Sequence, residues 1–233
     1  ERIFHMYKLF ALKKTILLIF GALSVLAALS LEDLKFSFDF SQFFPEGDPD
    51  LVFYNDFIEE FGTDDNFLLI AVENNTTVFE QDFLERFDAL SKEARKLSFV
   101  TESQSLTTLF YPLKTSFGYT KLPIIHLQDT TKYTSDLNKI TKDNLYVNAL
   151  IDEKASSLVL ALETENKLDY EQSIILLTEV RALLKKYDFK NHHLLGRVYF
   201  YEAIVAMQKH EVIVSSIASI LLIFIVLFLI YRR

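Results

Sequence analysis

Two apolar runs, Ile16–Leu31 and Val212–Ile230, bracket 180 residues of polar, acidic chain. That layout constrains the fold more than any motif does. The second run has nineteen residues without a charge, which at about 1.5 Å per residue reaches across a hydrocarbon core of roughly 30 Å. The first has sixteen and contains Gly21, Ser24 and Ser30, so it reaches only marginally. Ala28-Leu29-Ser30 resembles a small-residue cleavage site, but sixteen apolar residues are long for a signal segment, and a retained span is the expectation. Arg2, Lys8, Lys13 and Lys14 precede the first run, and Arg232 and Arg233 follow the second. Cytoplasmic flanks carry the excess of basic residues, so both ends are expected inside and the centre outside. The implied organisation is a flank at 1–14, transmembrane helices at 15–31 and 211–231, a periplasmic domain at 32–210, and a second flank at 232–233.

Formal charge is −8 for the whole chain, yet residues 1–31 carry +3 and 212–233 carry +2, which leaves −13 for the central region. Such acidity argues against nucleic acid and against docking onto anionic headgroups, both of which need basic surface. The central region has room for one domain with a sizeable core, or two small ones. The chain has no cysteine. An exported domain without disulfides must hold itself together by burial, which suits a bacterial envelope and predicts a place in the bacterial inner membrane.

Phe36, Phe38 and Phe40 alternate with polar residues, the period of a strand leaving the membrane. Asp48 followed by Pro49 predicts a helix start, with a capping carboxylate and then a residue that has no amide hydrogen to lose. Leu51, Tyr54, Phe57, Ile58 and Phe61 fall on one helical face, and Gly62 supplies the stop. A buried strand is expected at 66–73. Thr77-Val78-Phe79-Glu80 reads as a capping box opening a helix to about Leu97, with a short strand at 99–103. From Leu106 to about Asn144 the pattern weakens, apart from a loosely helical Thr130–Lys142. Leu145–Ile151 and Ser157–Thr164 read as a hairpin, Leu168–Tyr187 as a helix whose charges suit its dipole, and Phe189–Leu195 as a strand. Helical spacing then runs from Arg197 into the second apolar run. The predicted class is α+β, a ferredoxin-like (split βαβ) two-layer sandwich with an extra strand, set between two transmembrane helices.

No residue pattern points to enzyme chemistry, a metal or a cofactor. The adjacent pairs Glu59-Glu60 and Asp64-Asp65 point apart on a helix end or a turn. His192 and His193 in a strand face opposite sides. No serine sits in a nucleophile elbow. Nine phenylalanines fall between Phe36 and Phe67, and periodicity assigns most of them to a core. Phe43 and Phe44, in the proline-flanked linker, are the candidates for a substrate path.

Phe44-Pro45-Glu46-Gly47-Asp48-Pro49, a short helix, and then Phe61-Gly62-Thr63-Asp64-Asp65-Asn66 followed by aliphatics resemble the first porter segment of the RND superfamily. The nearest branch is that of the MMPL-type exporters of lipids and hydrophobes. Phe99-Val100-Thr101-Glu102-Ser103 resembles the strand before the porter loop of that branch, and Leu195-Gly196 onward its entry into a second span. The family often places Asp-Gly where this chain has Asp152-Glu153-Lys154-Ala155. The resemblance implies a proton-driven exporter of which these residues form the first span, the first porter domain and the second span. The proton-carrying acidic residues of that family lie in a later helix, and neither apolar run here holds an ionisable residue. Expected partners are the lipid bilayer, a hydrophobic or lipid-like substrate, and envelope proteins or the remaining transporter half, with no nucleic acid. Without the resemblance, a two-span sensor with a periplasmic ligand-binding domain, or a two-span envelope accessory subunit, fits the same layout.

Overall fold

The structure, a computed structural model, describes residues 13–29, 44–63, 65–115 and 118–232. It divides at Ser37 into two units. Of the first, the described part is helix α1, Lys13–Leu29, seventeen residues without an acidic side chain. The expected strand at 36–40 lies outside the described residues.

The second unit opens with helix α2, Pro49–Phe61. Asp48 caps it as its sequence demands, accepting from the amides of Asp50 at 2.9 Å and Leu51 at 3.3 Å. Gly62 ends it at φ +82°. Strand β1, Phe67–Glu73, then leads through helix α3, Gln81–Ala94, to β2, Val100–Gln104. The expected capping box does not form. The Thr77 hydroxyl accepts from the Phe79 amide at 3.2 Å and donates to the Ala155 carbonyl, also at 3.2 Å, so it is committed to the loop. Asn74 and Thr76 hold the Glu80 carboxylate instead, and the helix starts at Gln81, three residues later than a cap at Thr77 implies.

Beyond β2 the chain forms a separate two-stranded ribbon, β3 (Phe110–Thr115) and β4 (Gly118–Pro123), then a 3-10 turn at Thr130–Lys132 and helix α4, Tyr133–Ile140. Leu145–Ile151 is a chain of turns, not the first arm of a hairpin. The Tyr146 carbonyl accepts from the amides of Ala149, Leu150 and Ile151, and Asn148 sits at φ +62°. Backbone groups spent within the segment cannot extend a ladder. Only a bridge between Ile151 and Leu158 remains. Strand β5, Ser157–Thr164, helix α5, Tyr170–Lys186, strand β6, His192–Gly196, and helix α6, Arg197–Tyr231, complete the unit. Helix α5 opens on a full capping box between Asp169 and Gln172.

The four main strands form one antiparallel sheet in the order β2-β5-β1-β6. Leu69 sits opposite both Ala161 and Leu195. Alternation fixes the two faces. Leu68, Ile70 and Val72 of β1 and Leu158, Leu160 and Leu162 of β5 are wholly buried, under Phe83, Leu84, Phe87 and Leu90 of α3 and Leu176, Leu177 and Val180 of α5. Burying each such side chain contributes about 1.5–3 kcal/mol. Phe189, entering β6, meets the rings of Phe83 and Phe87 edge-on at 5.4 and 6.3 Å. The class is therefore α+β, with helices on one face of an antiparallel sheet; the extra strand expected at Leu145–Ile151 does not form, and the β3–β4 ribbon stands apart from the sheet.

Gly196 joins β6 to α6 directly. It pairs with Leu68 in the sheet and caps the helix at φ +145°. A Cβ there would lie 2.2 Å from the Phe67 carbonyl oxygen and 3.1 Å from the Leu68 Cα. Both are backbone atoms of the central strand and cannot turn away. Gly196→Ala is expected to lower stability by at least about 2 kcal/mol, read as a shift of the urea midpoint; an unchanged midpoint would show that β6 and β1 are not so closely joined.

Candidate functional site

The aromatic residues near the first apolar run do not lie where periodicity assigned them. None of the residues of α2 is buried. Phe53 is 72% exposed and Phe61 68%, and Tyr54, Phe57 and Phe67 are exposed as well. The rings of Phe57 and Phe61 lie 4.8 Å apart on this open face. The helix forms as the sequence predicts, but the core it was expected to face is filled by α3 and α5. Phe44 is exposed, at 38%, while Phe43 lies outside the described residues.

The principal recess is elsewhere, an open cleft of about 720 Å³, within the size range of small-molecule sites. Three segments build it. The last turns of α3 supply Asp88, Ser91, Lys92 and Arg95; β2 and the turn after it supply Glu102, Ser103, Thr107 and Thr108; Pro123 to Asp129 close the third side. Ser103 anchors β2 to α3 by donating from its hydroxyl to the Ser91 carbonyl at 2.9 Å. Ser105, Thr107 and Thr108 share a network of hydroxyl contacts at 3.0 to 3.2 Å that shapes the turn. Apolar Leu109, Phe110, Ile125 and Leu127 line the cleft beside these polar groups.

Its charges are arranged unevenly. Lys92 Nζ lies 2.6 Å from Asp88 Oδ2, one helical turn back. The other oxygen, Asp88 Oδ1, is buried without a hydrogen-bond partner. An unpaired carboxylate oxygen costs about 1–3 kcal/mol where no donor reaches it.

The third wall hangs on Asp136, in the first turn of α4. Asp136 is 1% exposed. It accepts from the His126 amide at 2.9 Å and lies 2.9 Å from the Nδ1 of the same residue. The imidazole is thus held to Asp136 by its Nδ1 side. Among the described residues no serine or threonine hydroxyl is hydrogen bonded to that ring.

The two sequence-paired histidines are separated as alternation requires. His192 Nδ1 meets the Phe189 carbonyl at 2.9 Å, while His193 Nε2 lies 3.3 Å from Glu73. Among the described residues no three His, Asp or Glu side chains converge as metal ligands would. At the base of the β3–β4 ribbon, Tyr111 packs edge-on to Tyr146 at 6.0 Å. Burial, reinforced by the neighbouring Tyr146, pushes its phenol up to about 12.

Helix α6 supplies the remaining functional element. Val198 and Val205 are buried in the domain, and the helix runs 35 residues in all, from Arg197 to Tyr231. Arg181 of α5 clamps it through both oxygens of Glu202, at 2.8 and 2.5 Å. The clamp holds the Glu202 carboxyl below its usual range. An eighteen-residue window of mean hydropathy 3.1 follows, none of it buried, so α6 is long and apolar enough to cross a membrane.

The cleft was not legible in the sequence, because its walls come from residues 88–95, 102–110 and 123–129 and share no periodicity. The one available signal was His126 ten residues before an acidic residue within a helix-like stretch. No protein-family model matches the sequence, and no curated protein matches it.

Replacing Asp136 by Ala leaves the His126 amide and ring without their acceptor. The expected result is a loss of about 1–3 kcal/mol, together with faster hydrogen exchange confined to residues 126–129 and α4. Exchange that stays at the wild-type level would show that Asp136 does not hold this wall.

Proposed function

We propose that this chain forms the N-terminal part of an RND-type exporter of hydrophobic or lipid-like substrates, of the MMPL branch, with the central domain in the periplasm and the two apolar helices in the bacterial inner membrane. The observation that carries the reading is the strand order β2-β5-β1-β6 with α3 and α5 as the two crossovers. That order is the one a ferredoxin-like split βαβ domain would have, the architecture expected of a porter domain. The unbroken run of β6 into α6 supports it, because a porter domain must be coupled mechanically to its membrane helices.

In this reading the domain recognises and conducts, and does no chemistry. The cleft offers an apolar floor with a rim of hydroxyls and charges, suited to a molecule with a greasy body and a polar end. Lys92 and Arg95, both exposed at the rim, set the polar complement. Energy for export would enter through helices beyond these residues, since neither apolar run carries a protonatable side chain.

Loss of the full-length protein from its native membrane should raise cellular retention of a hydrophobic fluorescent dye. A protonophore should raise retention in the parent strain to the same level and add nothing in the deletion strain. Equal retention in both strains, or a difference that survives the protonophore, would contradict export; a change in gene expression without a change in retention would favour the sensor reading.

A further inference from the structure

The exposed aromatic face of α2 and the β3–β4 ribbon have opposite charges, and each lacks the cover that elements of its kind require. A two-stranded ribbon alone is marginally stable in water. A thirteen-residue helix with no buried residue is equally weak. Within one chain both stay open to solvent: Phe53 and Phe61 on the helix, and Phe110, Leu113, Tyr119 and Leu122 on the ribbon, are all exposed.

Their charges are complementary by an unusual margin. From Phe36 to Glu85 the chain has thirteen Asp and Glu and no Lys or Arg. Residues 110–123 carry Lys114 and Lys121 and no acid. Register places Pro112 opposite Lys121 and Lys114 opposite Tyr119, so both lysines share one face with aromatic Phe110 and Tyr119. Diagonal neighbours on such a ribbon stand about 7–8 Å apart. On α2, Asp56 and Glu60 are one turn apart, about 6 Å, and flank the stripe of Phe53, Phe57 and Phe61. One element is aromatic and cationic, the other aromatic and anionic.

We infer that the β3–β4 ribbon of one copy docks on the α2 face of a second copy of this chain. The aromatic stripes supply the buried area, and Lys114 and Lys121 meet Asp56 and Glu60 at its edge. An anionic membrane surface is the competing cover for the ribbon. It gives no account of α2, whose acidic surroundings would be repelled by such a surface. This contact does not depend on the transport reading, and either can fail without the other.

The test uses the full chain in neutral-lipid nanodiscs and in detergent. Carbodiimide should join Lys114 or Lys121 to Asp56, Glu59 or Glu60 between isotopically distinct copies, and the mass of the detergent complex should exceed one chain. K114E/K121E and D56K/E60K should each weaken assembly about tenfold or more, with the circular dichroism of the folded chain retained because all four residues are exposed. Mixing the two variants should restore it, since every ribbon then meets a helix of opposite charge. A wild type that stays monomeric, cross-links confined to a single copy, or variants that assemble like the wild type would each overturn the proposal. So would a ribbon protected only in nanodiscs with anionic lipid.

Discussion

The close approach of Gly196 to the β1 backbone is the constraint on which the rest depends. Only a residue without a Cβ can pair with Leu68 and also turn the chain at φ +145° into a helix. Because it does, the edge strand β6 passes into α6 without a linker, and a rod of about 52 Å is fixed to the sheet at one end. The Arg181–Glu202 clamp and the buried Val198 and Val205 hold that rod at further points. Movement of the domain is thereby tied to movement of the apolar part of α6.

With β6 paired on one side of β1, β5 takes the other side and β2 the far edge. Helices α3 and α5 each cross back over the same face, so one face is buried. The other keeps a thin apolar band of Leu69, Ala161 and Leu195, with Leu195 65% exposed. The long excursion between β2 and β5 lies outside this frame. It builds the third wall of the cleft and raises the ribbon, so the parts with most scope for recognition are those the sheet constrains least.

The elements legible in the sequence are those where a local signal and tertiary burial agree. Strand β1 and helix α5 are examples, and each has a strong pattern facing a real core; α6 is legible instead from helical spacing that runs unbroken into a long apolar stretch. Three misreadings share the opposite cause. Thr77 has the spacing of a cap but is held by the Ala155 carbonyl. Leu145–Ile151 has the apolar content of a strand but spends its amides on Tyr146. The phenylalanines of α2 have perfect helical spacing, yet periodicity says which residues share a face and not what the face meets. The ribbon escaped notice because Pro112 and Pro123 interrupt its alternation and both of its faces are largely solvated. The cleft, assembled from three distant segments, left no trace beyond the spacing of His126 and Asp136.

The central claim is that α6 runs unbroken from the sheet into its apolar stretch. The chain has no cysteine, so spin labels at Phe200→Cys and Leu227→Cys report on this helix alone. A continuous helix across those 27 steps predicts one narrow distance distribution centred near about 40 Å, to within the reach of the labels. A broad or clearly shorter distribution would mean a hinge between the domain and the apolar stretch, and would contradict the coupling on which the account rests.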